Sequence, residues 1–509
     1  MLRYVFAIAV AAATGCATPA CAQQLNGIDL VKQAVEAAGG EHALRALKTL
    51  KLTGNVRFWE PDQSIVANGP SLQTGDSKFV TTLDFQSGAT RTDWDRTFIA
   101  QGPQKYSEIV TPRIGFVADD KGIRAMSGIR FAALSREQAR ATPLLLLRML
   151  DSPADVAFEG GLKLNAAVLP SVTFKQNGTL FHVLFNKITK LPAAIRTIDE
   201  DAIKGTIAYD VAYDNWKPMA GGAMVPHFWT FTVADNAVAR LTITDAQPNP
   251  AVDEKIFAAG PEVKPHPVLA SVPYQWVIRR LNIGRFLDSD DIFVPQGTSL
   301  KLTELAPNVH HITGGTHNTL AVVMKDGIVV FDAPTGDAQS RWTIDALKAK
   351  FNKPVKTLVL THHHSDHVGG VRVYIAERAN LVVPSPDRKF FALLALSQRP
   401  VPDDLEKKRV SADIAEVKDQ LDLKDDGVEI RIHRVPNPHV DGMLIAHIMP
   451  GNIVWETDLW TPGSESAKSP AGTAFEAALK KLGIQNAIIA SGHGAAAPQA
   501  EFEKIYAAN

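Results

Sequence analysis

The stretch Thr361-His362-His363-His364-Ser365-Asp366-His367-Val368-Gly369-Gly370 directly follows an apolar run at residues 355–360. Six consecutive positions in it hold four histidines and one aspartate. Residues two apart in an extended chain point the same way, so His362 and His364 can face one ion. Asp366 and His367 follow where the chain can turn into a helix, and they point to a second position nearby. The pattern therefore predicts one half of a two-metal site.

Polar residues elsewhere in the C-terminal part of the chain predict the other half. Four of the 15 histidines precede residue 300, and the other eleven fall between His310 and His493. Four chemistry-bearing residues follow or closely trail apolar, strand-like runs: Asp332, His439, Asp458 and His493. Strands that end at one edge of a sheet bring such residues together, so we expect these four to gather along one edge of a sheet sandwich.

Taken in order, these residues resemble the signature of the metallo-β-lactamase superfamily, and the resemblance covers residues 305–500. It implies an αββα sandwich with two divalent ions at its rim, usually Zn²⁺, with iron or manganese as alternatives. It also implies a role for each residue: His362, His364 and His439 hold the first ion, Asp366, His367 and His493 the second, Asp458 bridges the two, and Asp332 orients the motif loop through hydrogen bonds.

The remaining histidines of this part have no assigned role. His363 falls in the variable place of the pattern, so it is not expected to be a ligand. His317, His433 and His447 lack a matching place and are expected to be ordinary structural residues. His317, beside Gly314-Gly315 in a predicted rim loop, is the one of these that we would test.

The expected chemistry is hydrolysis by a metal-bridging hydroxide. Two cations held close together lower the pKa of a shared water toward neutrality. Asp366 is the predicted catalytic residue, since it can orient that nucleophile while it serves the second ion. The ligands leave the bond open: an ester, lactone, thioester, amide or phosphoester would all fit.

Departures from known subfamilies narrow the choice. Asp458 stands where one class of true β-lactamase carries a cysteine ligand, which excludes that class. The all-histidine class of exported β-lactamases lacks a bridging aspartate, which disfavours a periplasmic β-lactamase but leaves it as an alternative. Glyoxalase II and the acyl-homoserine lactonases use such an aspartate. Only 16 residues follow His493, however, which are too few for the helical extension that binds glutathione in glyoxalase II. Thr461 stands where the lactonases place a tyrosine, which is a departure from that family as well.

Length and charge bound the rest of the interpretation. A chain of 509 residues is too long for one ordinary core, so two or more domains are expected. The formal net charge of −1 lacks the positive excess of a dedicated nucleic-acid binder. We expect a small-molecule substrate and no nucleic-acid partner; the oligomeric state stays open.

The first 22 residues are predicted to be a signal peptide. Arg3 precedes an apolar stretch at residues 4–13, and Ala20-Cys21-Ala22 offers small residues for cleavage. An alternative makes Cys16 a lipid-attachment site, which would give envelope association. Both alternatives predict export to the periplasm or beyond. The two cysteines of the chain, Cys16 and Cys21, lie in this leader, so histidine, aspartate or glutamate must hold any metal.

Residues 25–260 are predicted to form a β-rich domain. A helix is expected over 27–47 with an interruption at Gly39-Gly40, and a helical segment is expected over 136–150. Short alternating stretches at 51–58, 78–83, 206–211 and 228–233 predict an antiparallel sheet with one covered face. His182 and His227 fall in such stretches and are expected to be ordinary sheet residues.

This predicted sheet resembles LolA-like envelope lipoprotein carriers. The resemblance rests on the strand pattern, on Met224-Val225-Pro226 before a strand, and on Asn249-Pro250. A plain accessory domain that packs against the enzyme is the alternative. A chain that is mainly an envelope ligand-binding protein with a vestigial metal domain is a second functional hypothesis, against which the complete ligand set weighs.

A proline-rich connector and a helix are predicted over 261–296. Residues 297–509 then form the predicted metallo-β-lactamase-fold hydrolase domain. The predicted fold class is thus α/β, with an αββα sandwich preceded by a mostly antiparallel sheet domain.

Overall fold

The structure, a computed structural model, describes residues 26–98, 102–140, 142–264, 300–425, 427–463 and 468–506. The predicted signal peptide and nearly all of the predicted connector, residues 265–296, lie outside these described residues. Within them, no helix combines the length and the apolar character that crossing a bilayer requires.

The N-terminal part is built on a 13-stranded sheet in which every neighbouring pair of strands is antiparallel, as the alternating pattern predicted. The order across the sheet is β6-β5-β4-β3-β2-β1-β13-β12-β11-β10-β9-β8-β7. The strands are β1 Thr49–Glu60, β2 Leu72–Asp84, β3 Ala89–Phe98, β4 Gly102–Val110, β5 Gly115–Asp119, β6 Gly122–Ala125, β7 Val156–Leu164, β8 Ala167–Gln176, β9 Thr179–Phe185, β10 Pro192–Asp201, β11 Gly205–Pro218, β12 Met224–Val233 and β13 Asn236–Pro248.

Helices cover one face of this sheet. They are α1 Gly27–Ala37, α2 Glu41–Arg45, α3 Gly128–Ala139 and α4 Thr142–Asp151, with 3-10 turns at Pro153–Asp155 and Glu254–Phe257. Leu30, Val31 and Ala34 of α1 share one core with Leu145 of α4 and Phe58 of β1. Burial of these apolar side chains against the sheet stabilises the helices.

The expected break at Gly39-Gly40 separates α1 from α2. Gly39 has a φ of 109°, and a Cβ there would collide with the carbonyl oxygen of Gly222. The second helical segment begins at Gly128, eight residues before the predicted start at 136, because Ser127 caps it by accepting a hydrogen bond from the Arg130 backbone N–H at 3.1 Å.

The C-terminal part contains two further sheets. The seven-stranded sheet has the order β14-β15-β16-β17-β18-β19-β20, and the six-stranded sheet runs from β21 to β26 in chain order. Their strands are β14 Lys301–Ala306, β15 Val309–Thr313, β16 Thr319–Val323, β17 Ile328–Phe331, β18 Val355–Val359, β19 Asn380–Pro384, β20 Ile414–Val417, β21 Gln420–Asp425, β22 Val428–Arg434, β23 Leu444–Met449, β24 Ile453–Glu456, β25 Ile488–Ser491 and β26 Ala497–Pro498.

The predicted four-layer arrangement is confirmed. Phe331 and Val359 of one sheet pack against Ile430 and Trp455 of the other in a shared core. A second core lies between the seven-stranded sheet and the helices α5 Asp337–Phe351, α7 Val371–Ala376, α8 Arg388–Leu396 and α9 Asp404–Lys408. A third lies between the six-stranded sheet and the helices α10 Pro470–Leu482 and α11 Gln499–Tyr506.

The strand ends position the predicted site residues along one edge of the two sheets. Asp332 directly follows β17, and the parallel strand β18 leads through Thr361 into α6, Ser365–Val368. Asp458 and His493 each lie two residues beyond β24 and β25, which also pair in parallel. Parallel neighbours end on the same side, so their carboxyl ends deliver these residues to one rim.

Candidate metal centre

The histidine-rich segment leaves β18 in an extended conformation and turns into α6 at His364, the N-cap residue with φ −62° and ψ 141°. The rings of His362 and His364 lie 4.5 Å apart between centroids, and those of His362 and His367 lie 4.9 Å apart. All three side chains are buried. The local fold thus gathers three imidazoles in an interior position.

Eight side chains form two clusters that could each hold a metal ion. In each cluster, one ligand atom per residue lies within 4.8 Å of all the others. The first cluster consists of His362, His364, His439 and Asp458, and the second of His317, Asp366, His367 and His493. The structure therefore brings all seven predicted ligands together and adds His317 to them.

Asp458 contacts both clusters. Its Oδ2 atom lies 3.2 Å from Nε2 of His362 and 3.2 Å from Nε2 of His439, both in the first cluster. The same oxygen lies 3.1 Å from Nε2 of His367, and Oδ1 lies 2.7 Å from Nε2 of His493, in the second cluster. This is the position that a carboxylate shared by two ions would take.

The donor atoms fit a pair of divalent ions. Among the described residues, five buried imidazole nitrogens of the centre lack a hydrogen bond: Nε2 of His362, Nδ1 of His364, Nδ1 and Nε2 of His367, and Nε2 of His439. The Asp458 carboxylate lies 3.1 to 3.2 Å from three of them, the Nε2 atoms of His362, His367 and His439. Buried polar atoms without partners are rare and require an explanation. Imidazole and carboxylate donors in this number suit zinc and similar transition metals.

Hydrogen bonds on the opposite ring nitrogens hold two of these imidazoles in place. Nδ1 of His362 lies 3.1 Å from the hydroxyl of Thr361 and 3.4 Å from that of Thr457. Nε2 of His364 lies 3.1 Å from the backbone carbonyl oxygen of Ser64. Such outer partners fix the tautomer of a ligating histidine and leave its other nitrogen for the ion.

The electrostatics of the first cluster keep two histidines neutral. Burial and the neighbouring His364 lower the pKa of His362 well below its ordinary value. Burial and the neighbouring His439 lower the pKa of His364 to about 3. A neutral imidazole is the form that binds a metal ion.

The second cluster is held together by charge. Burial opposes the charged form of His367, but Asp458 and Asp366 prevail and raise its pKa to about 10. Burial of His493 acts to lower its pKa, but the Asp458 carboxylate outweighs burial and raises the pKa above the ordinary value. The pKa of Asp366 lies below its ordinary value because His367 and His317 outweigh the effect of burial. A metal ion bound here would replace these protons.

Asp332 lies beneath the histidine-rich segment and is completely buried. Its Oδ1 atom accepts hydrogen bonds from the Thr361 backbone N–H at 2.8 Å and from the Thr361 hydroxyl at 3.0 Å. Trp455 donates its indole N–H to Oδ2 at 3.3 Å. These bonds fix the residue that precedes His362, in line with the orienting role that the resemblance implies.

Two of the histidines without an assigned role are engaged elsewhere. Nδ1 of His363 lies 3.2 Å from Asp387 and its Nε2 lies 2.9 Å from the Ser64 carbonyl oxygen, so neither nitrogen is open to an ion. His447 on β23 contacts Asn452 at 2.8 Å.

The structure places His317, for which no role was expected, in the second cluster. Its Nε2 atom lies 3.5 Å from Oδ2 of Asp366, and its ring lies 4.7 Å from that of His493 between centroids. Gln339 secures this loop by donating to the His317 carbonyl oxygen at 2.7 Å. The signal was in the sequence: a Gly-Gly-Thr-His loop follows the antiparallel strand β15, whose end lies at the same rim.

One contribution comes from the sheet domain. Gln63, in the loop between β1 and β2, donates its side-chain N–H to Oδ1 of Asp366 at 2.7 Å. The sequence around it, Glu60-Pro61-Asp62-Gln63-Ser64, has the composition of an ordinary turn. No signal in that stretch pointed to the metal centre.

Comparison with known families identifies the C-terminal part. The model of the metallo-beta-lactamase superfamily matches residues 289–448, which confirms the resemblance for this region. The matched range includes Asp332, the histidine-rich segment and His439, while Asp458 and His493 lie beyond it. The likeness of the sheet domain to LolA-like carriers stays a prediction.

A curated relative matches over a short stretch. Metallo-beta-lactamase IND-1 from Chryseobacterium indologenes is 31% identical over 71 residues, which is 12% of this chain. The aligned stretch spans 30% of the length of that relative.

Several solved structures also align with part of the chain. A metallo-beta-lactamase from Pontibacter korlensis is 17% identical with a TM-score of 0.32, and one from Hirschia baltica is 16% identical with a TM-score of 0.31. Each alignment covers 40% of this chain and 95% of the other. The Flv1 flavodiiron core from Synechocystis sp. PCC6803 is 17% identical, with a TM-score of 0.33 and coverage of 40% and 59%.

Proposed function

Because residues 289–448 form a metallo-beta-lactamase superfamily domain, we propose that this chain is a binuclear metal-dependent hydrolase of small molecules, with zinc as the preferred ion. The observation that carries the proposal is the position of Asp458, whose two oxygens lie 2.7 to 3.2 Å from histidines of both clusters. Two divalent cations in these clusters would supply Lewis-acid polarisation of the scissile bond and a water nucleophile at neutral pH.

The side chains of the chain itself have separable roles in this proposal. His362 and His364, both neutral, would present nitrogens to the first ion together with His439. The carboxylates of Asp366 and Asp458 would balance the charge of the second ion. Oδ2 of Asp366 faces His317 and His367, at 3.5 Å and 3.8 Å. A carboxylate at this point can orient a nucleophile and accept its proton, so Asp366 is the proposed catalytic residue.

The proposed substrate bond is an ester, lactone, thioester or related acyl bond. A shared aspartate between the two ions is the feature that favours this choice over penicillin hydrolysis. The name of the curated relative, a metallo-beta-lactamase, supports β-lactam hydrolysis as the second candidate. We further propose that the protein is exported, on the strength of the leader-like residues 1–22.

A substrate screen of the metal-loaded full chain tests the proposal. Esters, lactones, thioesters, β-lactams and phosphodiesters are compared at equal concentration, beside His364→Ala and Asp366→Ala. We expect turnover of an acyl substrate that both variants lose. Turnover of β-lactams alone would favour the second candidate. A chain that binds both ions and hydrolyses none of these compounds would support a ligand-binding role instead.

A further inference from the structure

The loop between β1 and β2 reaches from the sheet domain across the rim of the metal centre. The backbone N–H of Ser365, the first residue of α6, donates to the Asp62 carbonyl oxygen at 3.3 Å. The backbone N–H of Asp441, two residues after His439, donates to the Ile65 carbonyl oxygen at 2.9 Å. The segment Asp62–Ile65 thus connects the two loops that carry the histidines of the first cluster.

Gln63 contacts the carboxylate of the second cluster. Its side-chain N–H donates to Oδ1 of Asp366 at 2.7 Å, and the other oxygen of that carboxylate, Oδ2, is the one that faces His317 and His367. An amide donor on one oxygen restricts rotation of the carboxylate and directs the second oxygen toward the cluster. This is the geometry of an outer hydrogen-bond partner to a ligand.

Ser64 contacts the first cluster through its backbone. Its carbonyl oxygen lies 3.1 Å from Nε2 of His364 and 2.9 Å from Nε2 of His363. A carbonyl oxygen can only accept, so it selects the tautomer of His364 that carries a proton on Nε2. The buried Nδ1 of His364, which has no hydrogen bond in the described part of the chain, is then free to bind an ion.

The segment is held firmly enough to position its partners. Asp62 and Ser64 are both buried, at 4% and 8% exposure. Lys204 forms an ion pair with Asp62 at 3.0 Å, and the Ser64 hydroxyl donates to the Val66 carbonyl oxygen at 2.8 Å. The sheet domain is attached to the sandwich nearby as well, because the Thr206 hydroxyl donates to the Gln398 carbonyl oxygen at 2.9 Å.

We propose that the segment Asp62–Ile65 is part of the metal centre, with Gln63 as the positioning residue for Asp366. The sheet domain then completes the site, so the affinity of the second ion depends on a residue outside the metallo-beta-lactamase domain. This inference rests on the proposed function only in requiring that ions bind at the two clusters. Loss of an outer partner of this kind typically weakens ion binding by about 10- to 100-fold.

The test uses Gln63→Met in the full chain, which keeps the length of the side chain and removes the amide. Metal-stripped protein is titrated with Zn²⁺ against a chromophoric chelator, and the two binding steps are fitted separately. We expect one step to weaken by about 10- to 100-fold and the other to stay at the wild-type value. Gln73→Met is the matched control, since Gln73 donates to Asp76 at 3.3 Å on the exposed surface of the same domain.

A second variant separates positioning from folding. Gln63→Asn keeps the amide on a shorter side chain, so it should restore part of the affinity that Gln63→Met loses. Wild-type affinity in both steps for Gln63→Met would overturn the inference, and so would equal losses in the Met and Asn variants together with a lowered melting temperature.

The same titration distinguishes this inference from the proposed function. Ion binding that depends on Gln63, in a chain that hydrolyses nothing, would refute the hydrolase and leave this inference standing. Hydrolysis by a Gln63→Met variant with unchanged ion affinities would refute this inference and leave the proposed hydrolase standing.

Discussion

The Oδ2 atom of Asp458 lies 3.1 Å from Nε2 of His367, although the two side chains belong to different clusters. Asp458 reaches this position from the end of β24, in a backbone conformation with φ 63° that aspartate tolerates better than most residues. The carboxylate therefore contacts histidines of both clusters. Its loss should affect both ions.

Asp458→Asn tests this directly. The amide removes the charge that two cations would share, so we expect both binding steps to weaken, each by more than the roughly 10- to 100-fold typical of an outer partner. Inductively coupled plasma mass spectrometry of the dialysed protein measures how many metal ions each chain retains. His447→Ala is the control, since His447 contacts Asn452 away from the centre. Full metal content in Asp458→Asn would contradict a shared carboxylate.

His317→Ala should weaken one ion only. His317 lies beside Asp366 and His493 in the second cluster and has no place in the first. In a Co²⁺ titration followed by absorption spectroscopy, we expect the tighter or the weaker step to be lost while the other is retained. His433→Ala, on β22, provides the comparison. Two unchanged steps in His317→Ala would return this residue to an ordinary structural role.

Gly369→Ala should disturb the histidine-rich segment through packing. A Cβ at this position would collide with the backbone carbonyl oxygen of Thr335, and backbone cannot move aside as a flexible side chain can. The Thr335 backbone N–H also donates to the Asp366 carbonyl oxygen at 3.0 Å, so a shift here would reach α6. We expect a loss of about 1–3 kcal/mol in the free energy of unfolding. Differential scanning calorimetry measures it, and an unchanged melting temperature would refute the packing argument.

Asp332 should make the stability of the metal-free chain depend on pH. Burial raises the pKa of Asp332 to about 6, against the opposing effects of His367 and the Thr361 hydrogen bonds. Between the ordinary value near 4 and about 6, the folded chain keeps a proton that the unfolded chain has released. This contribution to stability is therefore full below pH 4 and is lost as the pH rises through 6.

Asp332→Asn isolates that contribution. The stability of the wild type relative to the variant should be greatest at pH 4 and should fall by roughly 3 kcal/mol at most by pH 7. Urea unfolding of both metal-free proteins at several pH values gives the difference. Parallel stability curves across this range would show that Asp332 titrates at its ordinary value.

The parts of the site that the sequence predicted are those where strand ends and ligand chemistry coincide. The sequence predicts these ligands because each follows an apolar run whose carboxyl end lies at one rim: His362–His367, Asp458 and His493. The same rule applies to His317 once the antiparallel pairing of β15 with β16 places their connecting loop at this rim. The family resemblance implied that Asp332 orients the motif loop through hydrogen bonds, and the structure gives Thr361 as the partner.

The contribution of the sheet domain could not be predicted in this way. Gln63 is separated from Asp366 by 303 positions, and its turn-like surroundings carry no periodicity or metal-binding pattern. The pairing of β1 with β13, which closes the middle of the large sheet, is likewise a long-range contact. Such contacts depend on how whole elements pack, which local patterns do not specify.

We propose that one chain holds two ions in a centre bridged by Asp458. Anomalous diffraction from crystals of the full chain grown with Zn²⁺, recorded on both sides of the zinc absorption edge, tests it most directly. We predict two anomalous peaks on either side of the Asp458 carboxylate, one among His362, His364 and His439 and the other among His317, Asp366, His367 and His493. A single peak, or two peaks that leave Asp458 without a metal contact, would rule out a centre in which Asp458 is shared by two ions.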